Sequence, residues 1–469
     1  MIKTNVKLPN LNIAAKNKTK GGLMSYVLLP IIGLFIMSLI SPNLSANGNI
    51  FPYKIVNHKL ENGLKVIFIP MESGGIVSYY TVVRTGSRDE WEPGKSGFAH
   101  FFEHMMFRGT KRHPGAMYDS LITSMGADAN AYTTDDYTCY HLNISNEDLP
   151  RVIDLEADRF QNLAYTKEGF QTESGAVYGE YRKGRTSPFN VLWEDLKNTS
   201  FKKHTYKHTT IGYEKDIKDM PNLYDYSLSF YQRYYRPENC VVMVVGDFDQ
   251  AKTLATIKKQ YSSWAVGYTA PKIDAEPEQK GELKATVNYP GKTNPILTLA
   301  YKGLAFDPAN KSSVAAQLFG DIAFGGNSAL NKKLYLKEQK VQALQAEIDM
   351  NRDPFLWMVF AIINKDSDIE YVNTEITNTI EYYKTNLVTK ENLDKVKKRM
   401  KYGFLMGLDT PDKVAGGLAK FIAITGSLDN LETYYKTLEA ITPEDIQNTV
   451  KTYFVNNKKT TITLKGSSK

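Results

Sequence analysis

The stretch Gly97-Phe-Ala-His100-Phe-Phe-Glu103-His104-Met-Met-Phe107 constrains this chain more than any other. Its H-x-x-E-H spacing works chemically on a helix, where positions i and i+4 face the same way and two imidazoles can meet one ion. Ser96 is placed to cap such a helix, which should run to about Phe107 and stop near Gly109. Glu103 lies beside His104 on nearly the same face, close enough to reach water held at that ion. Burying two imidazoles and a carboxylate beside Phe101, Phe102, Met105 and Met106 with no metal or partner would be costly. A pair of histidines satisfied in a core is therefore the weaker reading.

A catalytic zinc needs a third protein ligand and an open position for water. A second helix, capped by Thr166 and running to roughly Arg182, carries Glu173-Ser-Gly-Ala-Val-Tyr-Gly-Glu180. Seven residues are two turns, so the two carboxylates share a face about 10 Å apart. One of them can bind the metal while the other orients a ligand. All seven histidines fall between His58 and His208, and the chain beyond Cys240 holds neither His nor Cys. Metal chemistry with nitrogen or sulfur ligands thus belongs to the first half. His204 and His208 repeat the i, i+4 spacing, but nothing nearby completes a site. They read as loop or surface histidines, as do His113 and His141. Cys139 and Cys240 are too few for a disulfide framework; one bridge and two buried free thiols stand as equal readings.

At 469 residues the chain can bury more than one core. Runs such as Leu64–Pro70, Val77–Val83, Tyr137–Ile144 and Val241–Val245 read as strands among helices. Residues 266–285, with Gly267, Pro271, Pro277 and Gly281 among charged side chains, read as a linker. A second β-then-α series follows over 286–469, with strands near 295–300, 341–348, 356–363 and 460–464. The expected fold is α+β, with two similar α/β-sandwich lobes from an internal duplication, the first over 51–265.

The formal net charge is +7, but five lysines in residues 1–46 supply most of it and leave +2 for the rest. That excludes a nucleic-acid footprint. Those lysines precede an apolar run, Leu23 to Ile40, and a small-residue stretch ending at Ala46, the pattern of a secretory signal. Pro30, Gly33 and a cleavage point after Ala46 favour removal, and an uncleaved anchor over 23–40 is the alternative. Either reading puts the body of the protein outside the cytoplasm, with membrane contact only through residues 23–40 and only if they are uncleaved. The expected compartment is the bacterial periplasm.

These residues together resemble the pitrilysin/insulysin family of zinc metallopeptidases, the inverzincins, in the branch of mitochondrial processing peptidase subunits and secreted bacterial relatives. The likeness runs through Asn62–Val66, Gly86-Ser-Arg88, Gly97–Thr110, Gly126–Thr133, Tyr235–Asn239 and Val245–Asp247, and it is looser in the second half. It implies one zinc per chain held by His100, His104 and Glu180, which lies 76 residues past His104 as in the family. It implies Glu103 as the base that activates water, and Glu173 as a supporting carboxylate. Asn130, Ala131, Tyr132 and Thr133 resemble the family's edge strand, onto which an extended peptide adds by main-chain hydrogen bonds. The implied substrates are flexible or unfolded peptides.

One departure stands out. Family members that act alone carry an Arg and a Tyr in the second half that close on the substrate carbonyl. The matching stretch, 328–347, contains no Arg, and Tyr335 sits too early in it. A related second subunit is expected to supply those donors. The alternative is a non-catalytic peptide-binding or scaffold subunit of the same fold.

Overall fold

The computed structural model describes residues 49–467. The signal or anchor expected over 1–46 lies outside them. Among the described residues, no helix is long and apolar enough to cross a membrane.

In the first half, β1 (Val56–Lys59), β2 (Lys65–Pro70), β3 (Ile76–Val83), β4 (Asp128–Thr133), β5 (Thr138–Ser145) and β6 (Cys240–Gly246) form a sheet in the order β1-β2-β6-β3-β5-β4. In the second, β7 (Leu283–Tyr289), β8 (Ile296–Lys302), β9 (Val341–Ile348), β10 (Leu356–Ile363) and β11 (Lys459–Gly466) form a sheet in the order β7-β11-β8-β10-β9. Setting β1 aside, both sheets run first, last, second, fourth, third in chain order. In both, only the first and last strands pair parallel. The α+β fold is thus built twice on one topology. β7 begins at Leu283, so it takes in the last three residues of the stretch read as a linker.

Each sheet is buried on both faces, which is why β6 reads as an unbroken apolar run. Val242 and Val244 pack on the helices of their own half, whereas Val241, Met243 and Val245 point the other way. That second face is covered by helix Pro411–Thr425 from the far end of the chain, through Val414, Leu418 and Ile422, all fully buried. Reciprocally, helix Pro188–Ser200 of the first half covers β7 and β11 through Val191, Leu192 and Leu196. Each such apolar side chain contributes about 1.5–3 kcal/mol by burial. The halves therefore share their cores.

Polar groups reinforce the junction. Arg88 bonds Asp353 at 2.5 Å across the halves, and Asp136, which accepts from Tyr206 of its own half, also accepts from Asn351 of the other. Cys139 and Cys240 are buried free thiols on strands separated by β3, so the bridge reading does not hold.

Candidate metal centre

The motif helix spans Phe98–Met105. Phe98, Phe101, Phe102 and Met105 are fully buried, with the Phe101 ring 5.0 Å from Phe170 and the Phe102 ring stacked 5.2 Å from Phe230. This anchors one face of the helix and leaves His100, Glu103 and His104 together on the other. Ser96 does not cap it. The cap position is Gly97, in the left-handed region at φ 95°, where a Cβ would stand 2.6 Å from the Ile211 carbonyl oxygen. The free N–H groups of Gly97 and Ala99 donate instead to the Glu90 carboxylate at 2.7 and 2.6 Å, while the Ser96 hydroxyl is occupied by Asp216. A remote carboxylate does the work of a local hydroxyl because the turn leaves Ser96 pointing elsewhere.

The second helix, Lys167–Gly184, is capped by Thr166 as its sequence suggests. Its two glutamates take different places. Glu180 directs Oε2 to within 3.4 Å of His104 Nε2 and 3.8 Å of His100 Nε2. One donor atom each from His100, His104 and Glu180 lies within 4.8 Å of the others. A tetrahedral ion with bonds of about 2.0–2.1 Å separates its donors by roughly 3.3 Å, so the three side chains fit zinc with little movement. This is the one such cluster among the described residues. Glu173, almost fully buried, accepts instead from His104 Nδ1 at 2.8 Å, and its other oxygen pairs with Arg108. With its proton on Nδ1, His104 keeps the Nε2 lone pair for an ion.

Charge follows this geometry. Burial lowers the His100 imidazole below its ordinary value. Burial also works against a charged His104, but the hydrogen bonds and negative charges of Glu173 and Glu180 outweigh it and lift the imidazole to about 9. Glu180 is held below the usual carboxylate range by its bond to His104. Glu173 is lowered as well, because His104 and Arg108 overcome its burial. A pocket that draws a proton between these groups has the charge pattern that attracts a cation.

Glu103 Oε2 accepts from the Thr133 hydroxyl at 2.7 Å. Thr133 ends β4, which pairs with β5 alone and leaves its other edge free. Thr133 thus faces the site, and Tyr132 turns to the opposite face beside Tyr137. Asn130 is exposed, its amide oxygen accepting from the N–H of Ala131.

The remaining histidines stay out of the cluster, but the surface reading of two of them is wrong. His204 and His208 are buried. His204 Nε2 meets Asp353 at 2.9 Å in the junction between halves, and His208 bonds the Thr209 carbonyl. His113 meets Asp158, and His141 stacks on Tyr80. In the second half Tyr335 is exposed. Sequence reasoning missed Arg108 and Glu90. Arg108, four residues past His104 and just beyond the motif helix, could have been found from its spacing, whereas the reach of Glu90 depends on the loop between.

Residues 66–214 match the family described as Insulinase (Peptidase family M16), and residues 223–400 match its Peptidase M16 inactive domain. Zinc protease PqqE of Helicobacter pylori is 28% identical over 443 residues, covering 93% of this chain and 98% of that one. The crystal structure of a protease from Helicobacter pylori superposes with a TM-score of 0.83 at 28% identity, over 88% of this chain and 99% of the other. The periplasmic protease PqqL of Escherichia coli has the same fold, with a TM-score of 0.70 and 20% identity, and 88% of this chain covers 48% of it. Two matched halves, a doubled topology and the H-x-x-E-H helix agree: the chain belongs to peptidase family M16, the insulinase-like zinc proteases.

Proposed function

We propose that this chain is a zinc-dependent endopeptidase acting on flexible or unfolded peptides. The observation that carries the reading is the convergence of His100, His104 and Glu180 beside Glu103, at the end of a free sheet edge. Zinc, when bound by those three side chains, supplies a Lewis acid that polarises the scissile carbonyl and acidifies water. Glu103 takes the proton from the attacking water and returns it to the leaving amine. Thr133 fixes one Glu103 oxygen and leaves the other for that transfer. Glu173 holds the His104 ring in orientation without touching the ion, and Arg108 holds Glu173. Residues 130–133 of β4 receive the substrate as an added strand, which requires an extended peptide.

The second half is matched to a domain described as inactive, and its segment 328–347 carries no Arg. We therefore assign the hydrogen-bond donors for the developing oxyanion to a related second subunit. A relative that is about twice as long, and that this chain matches over 48%, supports pairing of two such units. We also assign the enzyme to the periplasm, a reading supported by the basic, apolar and small-residue order of residues 1–46. The test is digestion of a peptide library by the chain alone and with its copurifying partner, each with and without chelator. Slow, chelator-sensitive cleavage that rises about 10²–10³-fold with the partner is expected. No cleavage in any arm would favour the non-catalytic subunit instead.

A further inference from the structure

One short segment ties the start of the motif helix to the other half of the molecule. Ser87–Asp89 form a single 3-10 turn, closed by the Gly86 N–H donating to the Asp89 carboxylate at 3.1 Å. Glu90 follows directly, and its two buried carboxylate oxygens hold the N–H groups of Gly97 and Ala99. A carboxylate in that position also gains from the helix dipole. Ala99 immediately precedes the ligand His100, so the place of Glu90 fixes where the motif helix begins.

The main chain of this segment is held from within the first half. The Thr205 hydroxyl donates to the Arg88 carbonyl at 2.5 Å, and the Tyr234 hydroxyl to the Asp89 carbonyl at 2.8 Å. Its charges are held from the second half. Arg352, Asp89, Arg88 and Asp353 alternate in sign, at 3.5, 3.0 and 2.5 Å between neighbours, and both outer members lie between β9 and β10. The Asp89 side chain is fully buried, and the other three are at most 27% exposed. In such surroundings, removing an outer charge leaves its neighbour uncompensated and free to move toward other partners.

We propose that Arg352 and Asp353 of the second half are positioning residues for the metal centre, acting through Arg88, Asp89 and Glu90 on the start of the motif helix. Its consequence for catalysis rests on the reading of His100 and His104 as zinc ligands. Both positioning residues lie within 223–400, the region matched to the domain described as inactive. That half then shapes the reaction without touching the substrate. A misplacement of about 1 Å arising far from the chemistry can cost about 10²-fold in rate, so a small shift of the turn is enough to matter.

The test uses the full chain carrying Asp353→Asn, Glu90→Gln or both. One readout is hydrogen exchange at the amides of residues 97–105 in zinc-free protein. The other is the zinc dissociation constant, by competition with a chromophoric chelator. Asp353→Asn should speed exchange and weaken zinc binding, each about 2–30-fold, and Asp353→Glu, which keeps the charge, should recover most of the loss. Asp412→Asn breaks a different link between the halves, to Tyr80 and Asn143, and should leave both readouts unchanged. In the Glu90→Gln background Asp353→Asn should add less than it does alone, because the two residues act in series. Unchanged exchange in Asp353→Asn, an equal change in Asp412→Asn, or full additivity with Glu90→Gln would overturn the proposal. Absence of zinc binding by the unaltered chain would count against the peptidase reading instead, and the exchange measurement would still decide the coupling.

Discussion

Glu173→Gln alters a side chain that is 3% exposed and contacts the site only through His104. The volume is unchanged, so packing against the motif helix should survive. The hydrogen bonds are not. Glu173 accepts from His104 Nδ1 with one oxygen and from Arg108 with the other. A glutamine offers one acceptor and one donor to two donors, and its NH₂ must face either Arg108 or Nδ1. Losing one charge-assisted bond of this kind costs about 1.5–3 kcal/mol. At about 1.4 kcal/mol per decade, that is roughly a 10–100-fold loss. The same range is typical for partners that orient metal-bound histidines. The loss should fall on turnover more than on zinc content, because all three ligands remain. The assay is cleavage of a quenched fluorescent peptide at saturating zinc, with affinity measured separately against a chromophoric chelator. If Glu173→Gln loses zinc as completely as Glu180→Ala does, the roles of the two glutamates have been exchanged. Arg108→Ala should reproduce part of the effect, and Arg108→Lys should restore most of it.

Leu418→Ala, on the second-half helix buried against the first sheet, should cost about 2–5 kcal/mol and still leave a single calorimetric transition; two separated transitions would contradict shared cores. His208 is held at about 4 by burial, below its unfolded value of about 6.5, so its neutral form stabilises the fold above that value. That stabilisation, up to about 3 kcal/mol, is lost as pH falls from roughly 6.5 through 4. His208→Gln should flatten this part of the melting profile, and an unchanged acid limb would show that another group governs it. Thr133→Val removes the hydrogen bond to Glu103 and should lower kcat about tenfold, whereas Thr133→Ser should retain it; equal kinetics for Val and Ser would remove Thr133 from the mechanism.

The two helices that build the site were legible because each signal is local. H-x-x-E-H and the seven-residue glutamate spacing both depend on the helical repeat, and Thr166 is a local cap. Strand β6 was legible from its apolar run, and the doubled element order pointed to duplication. What escaped depends on contacts distant in sequence. Glu90 replaces Ser96 as the cap because a loop folds back nine residues. His204 reads as a surface residue until Asp353, 149 positions away, is placed beside it. The exchange of helices between halves cannot be read from periodicity, since an apolar stripe at 411–425 does not say which sheet it covers.

The central claim is that His100, His104 and Glu180 hold the metal while Glu103 handles the proton. The most direct measurement is zinc content and peptide turnover of Glu103→Gln beside His104→Ala, by elemental analysis and fluorescent cleavage on the same preparations. Glu103→Gln should retain about one zinc per chain and lose nearly all turnover, and His104→Ala should lose both. Full hydrolysis by Glu103→Gln, or undiminished zinc in His104→Ala, would contradict the account.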